Sequence, residues 1–215
     1  MNDVSKTVAK ILLELDAVSL NAKKPFRYAS GLLSPVYTDS RVLMAYPDKR
    51  REIRDFLIEA IQSSGVSFEV VAGTATAGIP HAAWIADELN LPMVYVRGKA
   101  KDHGKENLME GIIKKGQRAI VIEDLISTGE SAINSVKAVR NSGGEVSDVF
   151  AIITYGLKTA QQNFAANGLN LIALTDFEQV VTQAQQLNYI DKEDVDNILS
   201  WMSDPQSWEK KLEAK

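Results

Sequence analysis

Between residues 70 and 174, short apolar segments alternate with segments of helical periodicity, and this alternation restricts the fold more than any other feature. The apolar segments are rich in Val and Ile and too short for helices, which is typical of strands buried on both faces. Strands that alternate with helices form βαβ units with a parallel sheet. The predicted strands are 70–72, 93–96, 119–122, 148–154 and 169–174, and the helices between them are 78–89, 131–142 and 158–166. The sequence therefore predicts an α/β fold whose mostly parallel central sheet is flanked by helices.

The flanking segments have other patterns. Residues 5–20 predict an amphipathic opening helix, and residues 47–65 predict a second helix. Residues 25–41 mix turn residues with strand formers, which predicts a short hairpin region. The C-terminal part has helical patterns around its last two tryptophans. Because no repeat, low-complexity tract or linker interrupts the chain, we expect a single domain over residues 1–215.

The predicted strand 119–122 ends in two adjacent carboxylates, Glu123 and Asp124, and the small residues 127–129 precede the next helix. A small-residue turn at a helix start directs backbone N–H groups and the helix dipole at one point, which suits a phosphate. Carboxylates beside it suit hydroxyl groups or a metal ion. An alternative is an ordinary βα turn, capped by a hydroxyl residue, with an acidic pair that faces water. The complete arrangement favours a sugar phosphate.

Two other segments follow predicted strands, at the edge where parallel sheets bind ligands. Gly73–Gly78 consists of small residues that lead into a helix, which predicts a second anion-binding turn; a tight turn without a ligand is the alternative. Arg97–Lys105 is basic and glycine-bounded, and it belongs to a predicted polar loop without regular structure at 98–111. A solvated charged loop is one interpretation. A long polar loop in a compact domain also indicates a mobile lid, whose cations would stabilise a departing pyrophosphate.

The composition of the 215-residue chain excludes several classes. The net charge of −4 argues against a general nucleic-acid binder. The absence of cysteine excludes disulfides and thiolate metal sites, and it is compatible with the cytosol. The N-terminus lacks the apolar core of a signal peptide, and no run of apolar residues is long enough to span a membrane. We therefore expect a soluble intracellular protein.

The stretch Ala119–Ser131 resembles the motif by which type I phosphoribosyltransferases bind 5-phosphoribosyl 1-pyrophosphate (PRPP): an apolar strand, two acidic residues, two apolar residues and Ser-Thr-Gly. Four more segments are similar to orotate phosphoribosyltransferases in particular. They are Phe26–Arg41, Ala72–Pro80, Tyr95–Gly104 and the ending Trp201–Trp208. The resemblance thus extends over essentially the whole chain.

This resemblance implies the type I phosphoribosyltransferase fold, with a small hood at about residues 20–45 and a mobile catalytic loop at 97–111. It also implies transfer of the phosphoribosyl group from PRPP to orotate, which yields orotidine 5′-monophosphate and pyrophosphate in pyrimidine biosynthesis. The implied enzyme is a cytoplasmic homodimer in which the loop 97–111 of one subunit completes the neighbouring site. Mg²⁺ is the implied cofactor, and it is held mainly by substrate with no direct protein ligand. Neither a nucleic acid nor a membrane is an expected partner.

The resemblance also assigns roles to residues. Lys101 and Asp124 are expected to be catalytic, and Ser127 is expected to contact orotate. The expected PRPP contacts are Thr74, Ala75, Arg97, Lys99, Lys101, His103, Glu123, Asp124, Leu125, Ile126, Ser127, Thr128, Gly129, Glu130 and Ser131.

The chain departs from the family pattern at several positions. Glu130 replaces a usual glycine in the phosphate turn, where a carboxylate is unfavourable unless it points away. Ala29, Ala77 and Gly98 stand where some members have lysine. Where some members place an arginine for orotate, this chain has Tyr155-Gly-Leu, so Arg27 and Arg41 are the candidate partners of the orotate carboxylate.

Two alternatives remain at this level. One is a phosphoribosyltransferase for another base, such as a purine. The other is a PRPP-sensing regulator without turnover, but such a protein should carry a basic DNA-binding extension, which conflicts with the negative charge.

Overall fold

The computed structural model describes residues 2–28, 31, 33–98, 108–205 and 207–208. Its centre is a six-stranded sheet with the order β10-β9-β8-β5-β6-β7. The strands are β5 (Val70–Thr74), β6 (Met93–Val96), β7 (Met109–Glu110), β8 (Arg118–Ile126), β9 (Glu145–Thr154) and β10 (Asn170–Asp176). All neighbouring pairs are parallel except β6 with β7, which confirms the predicted mostly parallel sheet.

Both faces of the sheet are buried. Successive side chains of a strand point to opposite faces, so one strand contributes to the core on each side. In β8, Ile120 and Ile122 belong to one core cluster, whereas Ala119 and Val121 belong to the other. The first face packs against helices α1, α2, α3, α6 and α7, and the second packs against α4 and α5. The bounds are α1 (Asn2–Glu14), α2 (Pro47–Ser63), α3 (Gly78–Glu88), α4 (Glu130–Asn141), α5 (Lys158–Ala166), α6 (Phe177–Gln186) and α7 (Lys192–Ser203).

Residues 18–45, here called the hood segment, form two small antiparallel pairs and a 3₁₀ helix (Ser40–Ala45). One pair is β1 (Val18–Leu20) with β4 (Val36–Thr38). The other is β2 (Phe26–Arg27) with β3 (Leu33–Ser34). Among the residues that the structure describes, no helix has the length and apolar character needed to cross a membrane.

Two predictions about elements are wrong. The opening helix does not extend to residue 20: it ends at Glu14, Asp16 has the left-handed φ of 54°, and Val18 pairs with Thr38 in a strand. The left-handed residue breaks the helix, and pairing in the hood segment then overrides the helical spacing of the apolar residues. The segment 98–111 is not wholly without regular structure, since Glu110 pairs with Tyr95.

Candidate active site

Three strands bring the predicted site segments to one edge of the sheet. β5 lies between β6 and β8, with Thr74 opposite Val96 and Gly73 opposite Ile122. The residues that follow in each strand, Arg97 and Glu123 among them, therefore emerge at the same carboxyl-terminal edge. The described residues at the start of each segment thus lie at one edge of the sheet, as the sequence predicted.

The turn at residues 73–78 touches the strand that bears the acidic pair. A Cβ at Gly78 would lie 2.5 Å from the Ile122 carbonyl oxygen, and a Cβ at Gly73 would lie 2.9 Å from the Ile79 Cα. Only glycine permits such close backbone approaches. The start of α3 consequently packs against β8, so this turn and Glu123 lie together at one edge of the sheet.

Thr74 and Ala75, the two predicted PRPP contacts in this turn, differ in whether they have a hydrogen-bond donor free for a ligand. The Thr74 hydroxyl is buried beside the Glu123 carboxyl and makes no hydrogen bond of normal geometry among the described residues. The backbone N–H of Ala75 already donates to the Val96 carbonyl at 2.9 Å. The peptide between Ala75 and Thr76 is cis. Any amide donor to an anion must therefore come from the residues after Ala75.

The acidic pair is electrostatically asymmetric. Glu123 is only 4% exposed, and burial raises the pKa of its carboxyl well above the usual 4.5, with the neighbouring Asp124 carboxylate adding to the effect. The Glu123 carboxylate oxygen also accepts a hydrogen bond from the Asp124 backbone N–H at 3.1 Å. Asp124 is half-buried and is the accessible member. A ligand at the edge would therefore meet Asp124 first.

A residue from the hood segment holds Asp124. Ser40 is 1% exposed, and its hydroxyl donates to Oδ2 of Asp124 across 84 residues of sequence. The sequence analysis did not single out Ser40 as a site residue, although it lies in the Asp39-Ser40-Arg41 stretch. Nothing local in a serine at this position signals a partner so far along the chain.

The turn after β8 has the features of a phosphate site. Gly129 has a φ of 81°, and a Cβ there would lie 2.6 Å from Cε2 of Phe164. The Asn163 side-chain amide donates to the Thr128 carbonyl at 3.0 Å, which fixes the turn from α5. Gly129 precedes α4 and supplies no side-chain cap to the helix amides. The first amides of α4 thus suit an anion.

The strand before the turn is longer than predicted. β8 continues to Ile126, and α4 begins at Glu130, so only residues 127–129 connect them. The Ile126 side chain is 1% exposed and packs in the core, so only its backbone could reach PRPP. Leu125, Ser127 and Thr128 are half-buried. Glu130 and Ser131 are exposed in the first turn of α4, where the helix dipole favours a carboxylate.

Arg97 lies at the base of the predicted lid. Its Nε is 3.3 Å from an oxygen of Glu110, and its backbone N–H donates to Leu108 at 2.9 Å. Its Nη2 is buried and has no hydrogen-bond partner among the described residues. A buried guanidinium nitrogen without an acceptor suits an anionic ligand at this edge. Lys99, Lys101 and His103 lie outside the described residues, so their roles stay predictions.

The comparisons with known proteins agree with this geometry. Residues 44–177 match the model of the phosphoribosyl transferase domain family. The chain is 50% identical over 209 residues to an orotate phosphoribosyltransferase of Coxiella burnetii, covering 97% of this chain and 100% of the relative. It is 49% identical to an Enterococcus faecalis protein of the same name, covering 98% and 100%. The chain belongs to the orotate phosphoribosyltransferase family.

A solved structure supports the same fold assignment. The crystal structure of orotate phosphoribosyltransferase from Aeropyrum pernix superimposes with a TM-score of 0.74 and 30% identity, covering 85% of this chain and 99% of that one. The type I phosphoribosyltransferase fold that the resemblance implied is therefore confirmed. Within this family, the carboxyl-terminal edge described above is the candidate active site.

Hydroxyl groups join the end of β9 to the hood segment. The Tyr155 hydroxyl donates to Oγ1 of Thr38 at 3.0 Å and lies 3.4 Å from the Tyr28 hydroxyl. Burial raises the pKa of Tyr155 well above 10. Tyr155 follows β9 where some members have arginine, and here it ties the sheet to the hood segment.

The two arginines predicted for the orotate carboxylate have other contacts. Arg41 binds both carboxylate oxygens of Asp39, at 2.6 and 2.8 Å. Arg27 donates to the Gly31 carbonyl at 2.7 Å. Either arginine would have to exchange these contacts, or share them, to bind orotate. Both stay candidates.

A buried histidine near the edge was not predicted as a site residue. His81, in the first turn of α3, is 2% exposed, and burial lowers its pKa to about 4 against the opposing effect of Asp124. Its ring packs edge-on against Trp84 at 5.2 Å. His81 is therefore neutral at physiological pH and adds no cation to the site.

The carboxylates bear on the predicted Mg²⁺. Magnesium keeps water and substrate oxygens and often takes only one or two protein carboxylates. Asp124 is the accessible carboxylate of the pair, whereas burial disfavours a charged Glu123. Among the described residues no group of three His, Asp or Glu side chains could hold a metal ion. Asp124 is therefore the member of the pair that a metal ion at this edge could reach.

Proposed function

We propose that this protein transfers the 5-phosphoribosyl group from PRPP to orotate, giving orotidine 5′-monophosphate and pyrophosphate in pyrimidine biosynthesis. The observation that carries the proposal is membership of the orotate phosphoribosyltransferase family over nearly the whole chain. The shared edge of the 73–78 turn, the acidic pair and the 127–129 turn suits a pentose that carries phosphate at both ends.

The reaction exchanges one bond at the anomeric carbon for another. The bond from this carbon to the pyrophosphate oxygen breaks, and pyrophosphate leaves with the electron pair. A ring nitrogen of orotate forms the new bond and gives up its proton, which is released with the products. No enzyme nucleophile is needed, because the attacking atom belongs to orotate. Catalysis then rests on holding both substrates together and on stabilising charge as it develops.

Each segment has a part in this scheme. The amides at the start of α4 and residues 127–131 hold the 5′-phosphate, and the turn at 73–78 holds pyrophosphate. Asp124 binds the ribose hydroxyls and opposes the positive charge that grows on the ribose. Ser127 contacts orotate. Arg97, together with Lys99, Lys101 and His103, binds the pyrophosphate, and Lys101 is the principal catalytic cation.

The predicted lid acts across a dimer in this proposal. We propose a homodimer in which residues 97–111 complete the neighbouring subunit's site, beneath a hood at about residues 20–45. Mg²⁺ would be held mainly by substrate oxygens, with no direct protein ligand, and it would supply positive charge that offsets the charge of the departing pyrophosphate. Absence of cysteine and family membership favour a cytoplasmic location.

An absorbance assay of orotate consumption tests the proposal. With PRPP and Mg²⁺ we expect orotate to be consumed, and excess chelator to stop the reaction until Mg²⁺ is restored. Uracil, adenine and xanthine serve as competing bases in parallel reactions. Turnover of one of these bases without turnover of orotate would overturn the choice of substrate, and undiminished activity with chelator would overturn the metal dependence.

A further inference from the structure

The contact between Ser40 and Asp124 joins the hood segment to the acidic edge of the sheet. Ser40 begins the 3₁₀ helix that follows β4, whereas Asp124 lies near the end of β8. The serine is 1% exposed, and its hydroxyl donates to one oxygen of the carboxylate. A buried hydroxyl bonded to a carboxylate holds that carboxylate in one orientation.

Ser40 is itself held on both sides. The backbone N–H of Asp39 donates to the Ala17 carbonyl at 2.8 Å. The Asp39 carboxylate caps the 3₁₀ helix by accepting from the Arg41 N–H at 3.2 Å, and the Arg41 guanidinium binds both of its oxygens. The backbone on either side of Ser40 is thus fixed by contacts that do not involve Asp124.

The hood segment is also fastened to the end of β9. Tyr155 donates to Thr38, two residues before Ser40, and the Tyr28 hydroxyl donates to the Val36 carbonyl at 2.8 Å. Trp201 in α7 packs edge-on against Tyr155 at 5.6 Å and donates to the Leu33 carbonyl at 3.2 Å. These contacts fix the position of β4 relative to the central sheet, and with it the position of Ser40.

We propose that Ser40 is a positioning residue for Asp124. The Ser40 hydroxyl donates to Oδ2 of Asp124, which leaves Oδ1 of Asp124 to accept hydrogen bonds from the ribose hydroxyls of PRPP. This proposal rests on the proposed function, since it gives Asp124 the ribose as its ligand. It adds that the hood segment, through one serine, sets the geometry of the ribose carboxylate.

A double-mutant cycle in kinetics tests the coupling. We expect Ser40→Ala to lower kcat/KM for PRPP by about 10- to 100-fold, because a hydrogen bond to a charged group is lost at the reacting sugar. The KM for orotate should change by less than about twofold, which a general collapse of the hood would not allow. Ser40→Thr, which keeps the hydroxyl, should recover most of the loss. Ser135→Ala, a buried serine on the core side of α4, is the matched control.

The second arm of the cycle isolates the Ser40–Asp124 pair. In the Asp124→Asn background, Ser40→Ala should change kcat/KM by no more than about twofold, since the interaction is already altered. Equal losses in both backgrounds, or a Ser40→Ala variant with wild-type kinetics, would overturn the positioning role. Thermal unfolding of each variant separates loss of fold from loss of geometry. If the wild-type protein fails to consume orotate, both the proposed function and this role of Ser40 are overturned. If the wild-type protein is active but Ser40→Ala has the same effect in both backgrounds, only the role of Ser40 is overturned.

Discussion

At the scale of single residues, the buried carboxyl of Glu123 makes stability depend on pH. Its pKa is raised well above 4.5, mainly by burial, so its contribution to stability is complete below that value and is lost as pH rises through the folded pKa. Glu123→Gln removes the charge that must be buried at high pH. We expect the unfolding free energy of the variant to rise relative to that of wild type between pH 5 and pH 8. Urea unfolding at the two pH values measures this difference.

Glu145→Gln is the control for this measurement, because Glu145 is exposed at the start of β9. Its stability relative to wild type should be nearly the same at both pH values. If Glu123→Gln behaved in the same way, the buried carboxyl would not be the source of the pH dependence.

The catalytic cation is also a matter of one residue. We expect Lys101→Ala to lower turnover by orders of magnitude while the protein folds normally, since it removes positive charge where pyrophosphate departs. Steady-state kinetics and thermal unfolding measure the two quantities. Lys137→Ala, on the exposed side of α4, carries the same charge change and should keep wild-type turnover. Near-wild-type turnover of Lys101→Ala would contradict the proposal that the lid takes part in catalysis.

Residue-scale features differ in how far sequence could predict them. The sequence could predict Glu123, Asp124 and Gly129, because they belong to one contiguous motif. Ser40 and His81 were not, because each owes its place to packing between distant segments. The difference between Glu123 and Asp124 was equally hidden, since their unequal burial arises only in the folded sheet.

At the scale of elements, the phosphate turn depends on a glycine with two separate constraints. Gly129→Ala introduces strain at a φ of 81° and places a methyl 2.6 Å from the Phe164 ring. We expect a loss of about 2–5 kcal/mol in unfolding free energy, the sum of left-handed strain and overpacking. The KM for PRPP should rise by about tenfold or more, since the turn must shift away from the phosphate.

Gly116→Ala separates the two constraints. Gly116 has a similar φ of 79°, but a Cβ there meets nothing within 4 Å. It should lose only the strain, about 1–2 kcal/mol, and leave the KM for PRPP unchanged. Equal losses in the two variants would mean that Phe164 does not constrain the turn.

The same scale shows where element prediction fails. The strands β5, β6, β8, β9 and β10 were predictable because short apolar runs between helical patterns have few alternatives. The strands β1 and β7 have three and two residues, and each exists only through its partner, β4 or β6. Segments this short carry no periodicity of their own, so their pairing is decided by the assembled fold.

At the scale of the whole molecule, the N-terminal and C-terminal parts of the chain meet at the hood. Trp201, Tyr155 and Tyr28 form one edge-on aromatic cluster that joins α7, the end of β9 and the hood segment. The sequence indicated helices around Trp201 and strand formers near Tyr28, but it gave no sign that they touch. Contacts over such separations follow from topology, which composition and periodicity do not encode.

The proposed sharing of the site between subunits leads to a test on mixed dimers. Lys101→Ala should disable the lid that a subunit contributes to its neighbour's site. Asp124→Asn should disable the site of the subunit that carries it. Each variant alone is expected to have little activity. After unfolding and refolding together, roughly a quarter of wild-type activity should return, because half of the dimers are mixed and each mixed dimer retains one intact site. Mixtures of either variant with itself are the controls. If the lid served its own subunit instead, every site in a mixed dimer would carry one lesion, and mixing would restore nothing.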